Sequence, residues 1–142
     1  RYNGNEISPN KRLSKSKAAL AIFQAYLMEK PQTTLEEMRQ AFPCDKLNQY
    51  YSGRYYQDLF YPSRPDTIDE GGYEILQYTA GKHIGKEARA KWDFYLDADQ
   101  LLPIEGGRKR AMCVKFWRKR DFESLAEWVS QKYKFIDVQK CL

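Results

Sequence analysis

Four carboxylates crowd one short stretch of this chain: Asp93, Asp97, Asp99 and Glu105. Carboxylates at close range are what a Mg²⁺-dependent nuclease needs to hold its ion and place a water, and Asp97-Ala98-Asp99 is the tight pair among them. A D-x-D between strands is also ordinary turn chemistry, because short acidic side chains hydrogen-bond their own backbone. His83, beside Lys82 in a glycine-flanked polar segment, has the titration range for general acid or base work; a surface-loop histidine is the plainer reading. The chain has no G-x-S-x-G, phosphate loop or dinucleotide fingerprint. Cys44, Cys113 and Cys141 are 69 and 28 positions apart, with no C-x-x-C and a single histidine, which is too few ligands for structural zinc. The expectation is a protein that is not an enzyme and holds no cofactor or metal, with reduced thiols in a cytoplasmic setting.

Positive charge is the second chemical feature. The chain has 142 residues, 24 of them basic and 19 acidic, for a net charge of +5. That excess is segregated. Residues 106–120 hold seven basic side chains (Arg108, Lys109, Arg110, Lys115, Arg118, Lys119 and Arg120) and no acid. Residues 1–17 add Arg1, Lys11, Arg12, Lys15 and Lys17 against Glu6, and residues 82–91 add Lys82, Lys86, Arg89 and Lys91 against Glu87. The rest of the chain is strongly acidic. A focused positive face with acidic surface elsewhere is the electrostatic footprint of polyanion binding, since each neutralised phosphate releases counterions. Taken singly, each run is more often an ordinary solvated face, and it is three such runs in one small chain that bring the two readings nearly level.

The elements that must position these groups follow from spacing. An apolar content of 42% with 15% aromatic residues excludes a disordered chain, and no run approaches the ~18 apolar residues of a membrane span. Residues 14–30 carry Ala19, Ile22, Phe23 and Tyr26 at helical spacing, with Leu20 and Leu27 flanking, Ser14 or Ser16 as cap and Pro31 as stop. Thr34 and Glu37 form a T-x-x-E capping box for a short second helix with Leu35, Met38 and Phe42 inward, ending at Pro43. From Asp45 the large residues Leu47, Tyr50 or Tyr51, Tyr55, Leu59 and Phe60 predict a third helix. Strand-like runs follow at 73–78, 92–96, 100–104 and 111–117, the last two joined by EGGRKR, in which Gly106 and Gly107 suit positive-φ turn positions. Asp121 is the expected cap of a final helix with Phe122, Leu125, Ala126, Val129 and Tyr133 on one face, and residues 135–138 read as a closing strand. The predicted fold class is therefore α+β: a helix-turn-helix-like three-helix half joined to a β-hairpin or small antiparallel sheet and a terminal helix. Its expected organisation is a basic arm (1–13), a helical half (14–61), a linker (62–72) and a hairpin-plus-helix half (73–142) in one compact unit.

The order of a helix, a proline break, TTLEEMRQAFP, a third helix, a hairpin with an acidic-glycine turn, Trp117 and a terminal helix resembles a small uncharacterised domain of bacterial proteins. The similarity lies in residues 34–43 and 101–138. It departs where Arg118 stands in place of a glycine after the tryptophan. The family has no settled activity, so the resemblance implies an architecture and no catalytic residue.

Three functions compete on these residues. The first is nucleic-acid binding of winged-helix type, DNA ahead of RNA, with the hairpin at 105–110 as wing. Arg108, Lys109 and Arg110 would sit at its tip, Lys115, Arg118, Lys119 and Arg120 on the neighbouring backbone, and Lys15 and Lys17 at the arm. The tyrosines of the third helix could stack single-stranded bases, or serve as core with wet hydroxyls. The second is a protein-interaction module using that aromatic face. The nuclease reading is third. No membrane partner is expected.

Overall fold

The computed structural model describes residues 14–53, 56–63 and 93–141. Its helices are α1 (Lys15–Glu29), α2 (Leu35–Ala41), α3 (Cys44–Leu47), α4 (Lys119–Lys132) and α5 (Val138–Cys141), and its strands are β1 (Phe60–Ser63), β2 (Leu102–Ile104) and β3 (Lys109–Cys113). This is an α+β architecture with a small antiparallel sheet, as the spacing predicts. The expected arm, most of the linker, the strand at 73–78, the segment 79–91 and His83 lie outside the described residues.

The helix starts are local chemistry. Ser14 accepts the Lys17 N–H at 3.2 Å, satisfying one of the unpaired amides at the start of α1. Thr34 and Glu37 close the capping box of α2 with reciprocal bonds of 3.1 and 2.9 Å. α1 is more deeply embedded than a one-sided pattern implies. Ala18, Ala19, Leu20, Ala21, Ile22, Phe23, Ala25, Tyr26 and Leu27 are all buried, and α1 packs on β2, α4 and α5. Its alanines allow that close approach on several sides. The core is centred on Phe23, whose ring lies 5.0 Å from Phe42 and 4.9 Å from Phe60, both edge-on, a geometry that adds about 1 kcal/mol per pair beyond burial.

Two predicted elements are corrected. The third helix stops after one turn at Leu47, because Asn48 leaves helical geometry and uses its buried side chain elsewhere: Oδ1 accepts the Tyr51 N–H, and Nδ2 donates to the Phe116 carbonyl at 3.0 Å. Asparagine competes with the helix in this way by satisfying neighbouring backbone groups itself. Gly53 then turns at φ +69°, and Phe60 opens β1 instead of closing a helix. Residues 135–137 form a turn and Val138 opens α5, so no strand closes the chain here; Ile136 and Val138 are still buried.

The sheet order is β1-β3-β2, with Phe60 opposite Cys113 and Leu102 opposite Ala111. The run 92–96 contributes only a bridge from Phe94 to Val114. Both outer strands carry a proline: Pro62 faces Ala111 and Pro103 faces Arg110. Val114 N–H donates to the Leu59 carbonyl, and Tyr95 N–H to the Cys113 carbonyl. The alternation of an antiparallel ladder therefore turns the backbone of Pro62 and of Pro103 away from β3. Each proline removes an outward-facing donor from an outer strand without costing a ladder bond. β1 also ties the end of the predicted helical half into the hairpin half.

Candidate nucleic-acid interface

The hairpin is present, but its tip is not a free wing. Glu105, Gly106 and Gly107 all have positive φ, and the turn is fastened to the α1–α2 connection by Glu105 N–H to the Thr33 carbonyl (2.9 Å) and Gly106 N–H to the Pro31 carbonyl (2.7 Å). Two of its cations are engaged. Lys109 pairs with Glu105 at 3.5 Å, and Arg110 donates to the Ala98 carbonyl between exposed Asp97 and Asp99. Arg108 is exposed.

Lys15 and Lys17 lie at the other end of α1 from the connection that holds the tip, about 22 Å away along a 15-residue helix. Lys115 belongs with them. Its ammonium lies 5.5 Å from the centre of the Tyr95 ring, and the Tyr95 hydroxyl hydrogen-bonds Ser16 at the start of α1. Burial pushes that phenol up to about 12, with the Cys113 thiol adding to the rise and the Ser16 bond opposing it.

Residues 115–118 connect β3 to α4, and Phe116 and Arg118 both reach Tyr50, as an i, i+2 spacing in an extended segment allows. The Phe116 ring is 4.8 Å from that of Tyr50, and the Arg118 guanidinium lies 5.6 Å from the Tyr50 centroid. Arg118 also grips Asp121, Nε to Oδ2 at 2.7 Å and Nη2 to Oδ1 at 3.3 Å, and this bonding raises its pKa. Asp121 is thus not the cap. Arg118 occupies the cap position of α4, and Asp121 is a buried residue of the first turn, placed where the helix dipole favours an anion. Lys119 and Arg120 follow, both exposed; with Lys115 they make no ion pair among the described residues.

The nine predicted site residues therefore divide. Arg108, Lys109 and Arg110 stay at the tip. Lys115 lies over Tyr95, whose hydroxyl reaches Ser16, flanked in the chain by Lys15 and Lys17, and Arg118, Lys119 and Arg120 continue from Phe116 at the same end of β3. Spacing did not single out Phe116. Its signal is a large apolar residue inside a cationic run, KFWRKR, and it is 45% exposed while neighbouring Trp117 is buried. The tyrosine array is mainly core: Tyr51 and Tyr56 are buried and Tyr50 is half-buried, while Tyr55 lies outside the described residues.

The carboxylates do not assemble. Asp93 is buried against the Tyr56 hydroxyl, Glu105 faces Lys109, Asp97 and Asp99 are exposed, and no metal-holding group of three acidic, histidine or cysteine residues occurs among the described residues. Cys44 and Cys113 are buried free thiols. Burial, with Asp58, Asp45 and Asp121 nearby, pushes Cys44 up to about 12, and burial alone raises Cys113. No described helix is long and apolar enough to cross a membrane. No family model, curated protein or solved structure matches this chain, so its function is read from surface chemistry alone.

Proposed function

We propose that this protein is a non-enzymatic nucleic-acid-binding module whose main contact is the connection from Lys115 to Arg120, with Lys15 and Lys17 alongside, rather than the hairpin tip. One observation carries the reading: Lys115, Lys119 and Arg120 are all exposed and without an ion pair among the described residues, whereas at the tip only Arg108 is in that state, Lys109 being paired with Glu105 and Arg110 donating to the Ala98 carbonyl. Cations without local counter-charges release the most counterions from a phosphate backbone. The buried free thiols support a reducing, cytoplasmic location.

A fluorescence titration with labelled oligonucleotides at two salt concentrations tests this. Binding should weaken steeply with salt and should fall in the triple alanine variant of Lys115, Lys119 and Arg120, with a smaller loss for the triple variant of Arg108, Lys109 and Arg110. Absence of binding at low salt, or a larger loss from the tip variant, overturns it. Salt-insensitive capture of a protein by the same surface would favour the interaction-module reading.

A further inference from the structure

The geometry points to a base-stacking platform at Phe116, and hence to a single-stranded polynucleotide as the ligand; this rests on the nucleic-acid reading above. Phe116 and Met28 are the large hydrophobic residues left exposed among those described. Phe116 is also held by its neighbours. Its carbonyl accepts the amide of fully buried Asn48, its ring packs against that of Tyr50 at a 55° tilt, and Tyr50 in turn lies under Arg118. Arg118 is held by Asp121, which also accepts the Gln49 N–H at 3.0 Å. Residues 48–50 and 116–121 are thus clipped together at several points, so the phenyl ring is presented with little freedom to lose on binding.

Cations stand on both sides of the ring along the chain. Lys115 precedes the ring and Lys119 and Arg120 follow Arg118, so cations able to track a phosphate backbone flank the aromatic surface. An aromatic face beside a basic track is the arrangement that binds unpaired bases, each of which offers a π surface regardless of its identity. A duplex hides its base faces in the stack and offers only phosphates and groove edges. Ribose and deoxyribose strands share the stacking chemistry, so the experiment must include both.

The test is an anisotropy titration of the full chain with oligothymidylate, oligouridylate and a duplex, each of about 12 nucleotides or base pairs, within the span of single-strand sites. Either single strand should bind more tightly than the duplex. Phe116→Ala should weaken single-strand binding roughly 5- to 100-fold, the loss of one stacked base, without changing the salt slope. Phe116→Trp should retain binding, which separates lost stacking from a disturbed fold, and ultraviolet cross-linking to oligothymidylate should map to residue 116. Equal affinity for duplex and strand, or single-strand binding unchanged by Phe116→Ala, overturns the platform and leaves the nucleic-acid reading standing. Failure of all three probes to bind at low salt removes the parent reading and the platform together.

Discussion

The Asp121 carboxylate accepts the Gln49 backbone N–H at 3.0 Å and the Arg118 guanidinium at 2.7 Å while only 1% exposed, so one side chain joins the turn after α3 to the start of α4. Removing it strands a donor from each partner. Asp121→Ala should cost about 2 kcal/mol of stability, in line with hydrogen bonds to a buried charged group. Asp121→Asn, which keeps one acceptor, should cost less. Urea unfolding midpoints check both; equal midpoints for the wild type and Asp121→Ala would refute the bridging role.

How much of this was legible depended on the range of the interaction. The Thr34–Glu37 box, the Ser14 cap, the proline stops and the Gly106–Gly107 turn are decided within a few residues, and each is where local spacing puts it. The third helix ends sooner than its spacing suggests because its terminator, Asn48, acts across the fold on Phe116, which no local pattern reveals. β1 was hidden by Pro62, a residue that argues against a strand until the register shows its nitrogen facing outward. The site was partly legible: the cations were found by counting, but their division between two ends of α1 required the Tyr95–Ser16 and Gly106–Pro31 contacts.

The hairpin turn gives a backbone prediction. Gly106 has φ +70°, and a Cβ there would lie 2.8 Å from the Gln32 amide nitrogen, the far end of an exposed side chain that can swing aside. Backbone strain should then dominate, and Gly106→Ala should cost about 1–2 kcal/mol. Gly107, at φ +86° with open space around it, should show a similar loss. A thermal melt in which Gly107→Ala is neutral would mean that the turn relaxes to another geometry.

Pro62 and Pro103 leave the outer edges of the sheet short of a donor each. Pro62→Val with Pro103→Val restores both outward N–H groups on β-prone residues, which suits pairing with another chain. Light scattering at matched concentration should show increased self-association of the double variant at little cost in monomer stability. Unchanged scattering would show that other features already protect the edges.

Alkaline pH should unfold the protein. Burial is the first cause of the raised Tyr61 and Tyr95 phenols, both pushed up to about 12, and it also raises Tyr26, Tyr133 and the thiols of Cys44 and Cys113. Each of these groups binds its proton more tightly folded than unfolded. Their contribution is therefore complete below the ordinary thiol and phenol values, roughly 8.5 and 10, and is lost as pH rises toward 12. Tyrosinate absorbance and near-ultraviolet circular dichroism should change together in that window. Phenols that ionise near their ordinary value while the dichroism holds would contradict this.

The salt dependence offers the sharpest division between the two basic groups. For a single strand, each phosphate contact contributes about 0.7 to the slope of log affinity against log salt. Lys119 and Arg120 are exposed and have no ion pair among the described residues, so replacing both with alanine should reduce that slope by about 1.4. Lys109 already has Glu105 at 3.5 Å, and Arg110 is turned to the carbonyl between Asp97 and Asp99. Their replacement leaves Glu105 without its counter-charge as well as removing cations, so it should lower affinity through repulsion while the slope moves by less than about 0.5. A tip variant that loses the larger slope would place the phosphate contacts on the hairpin and not on the approach to α4.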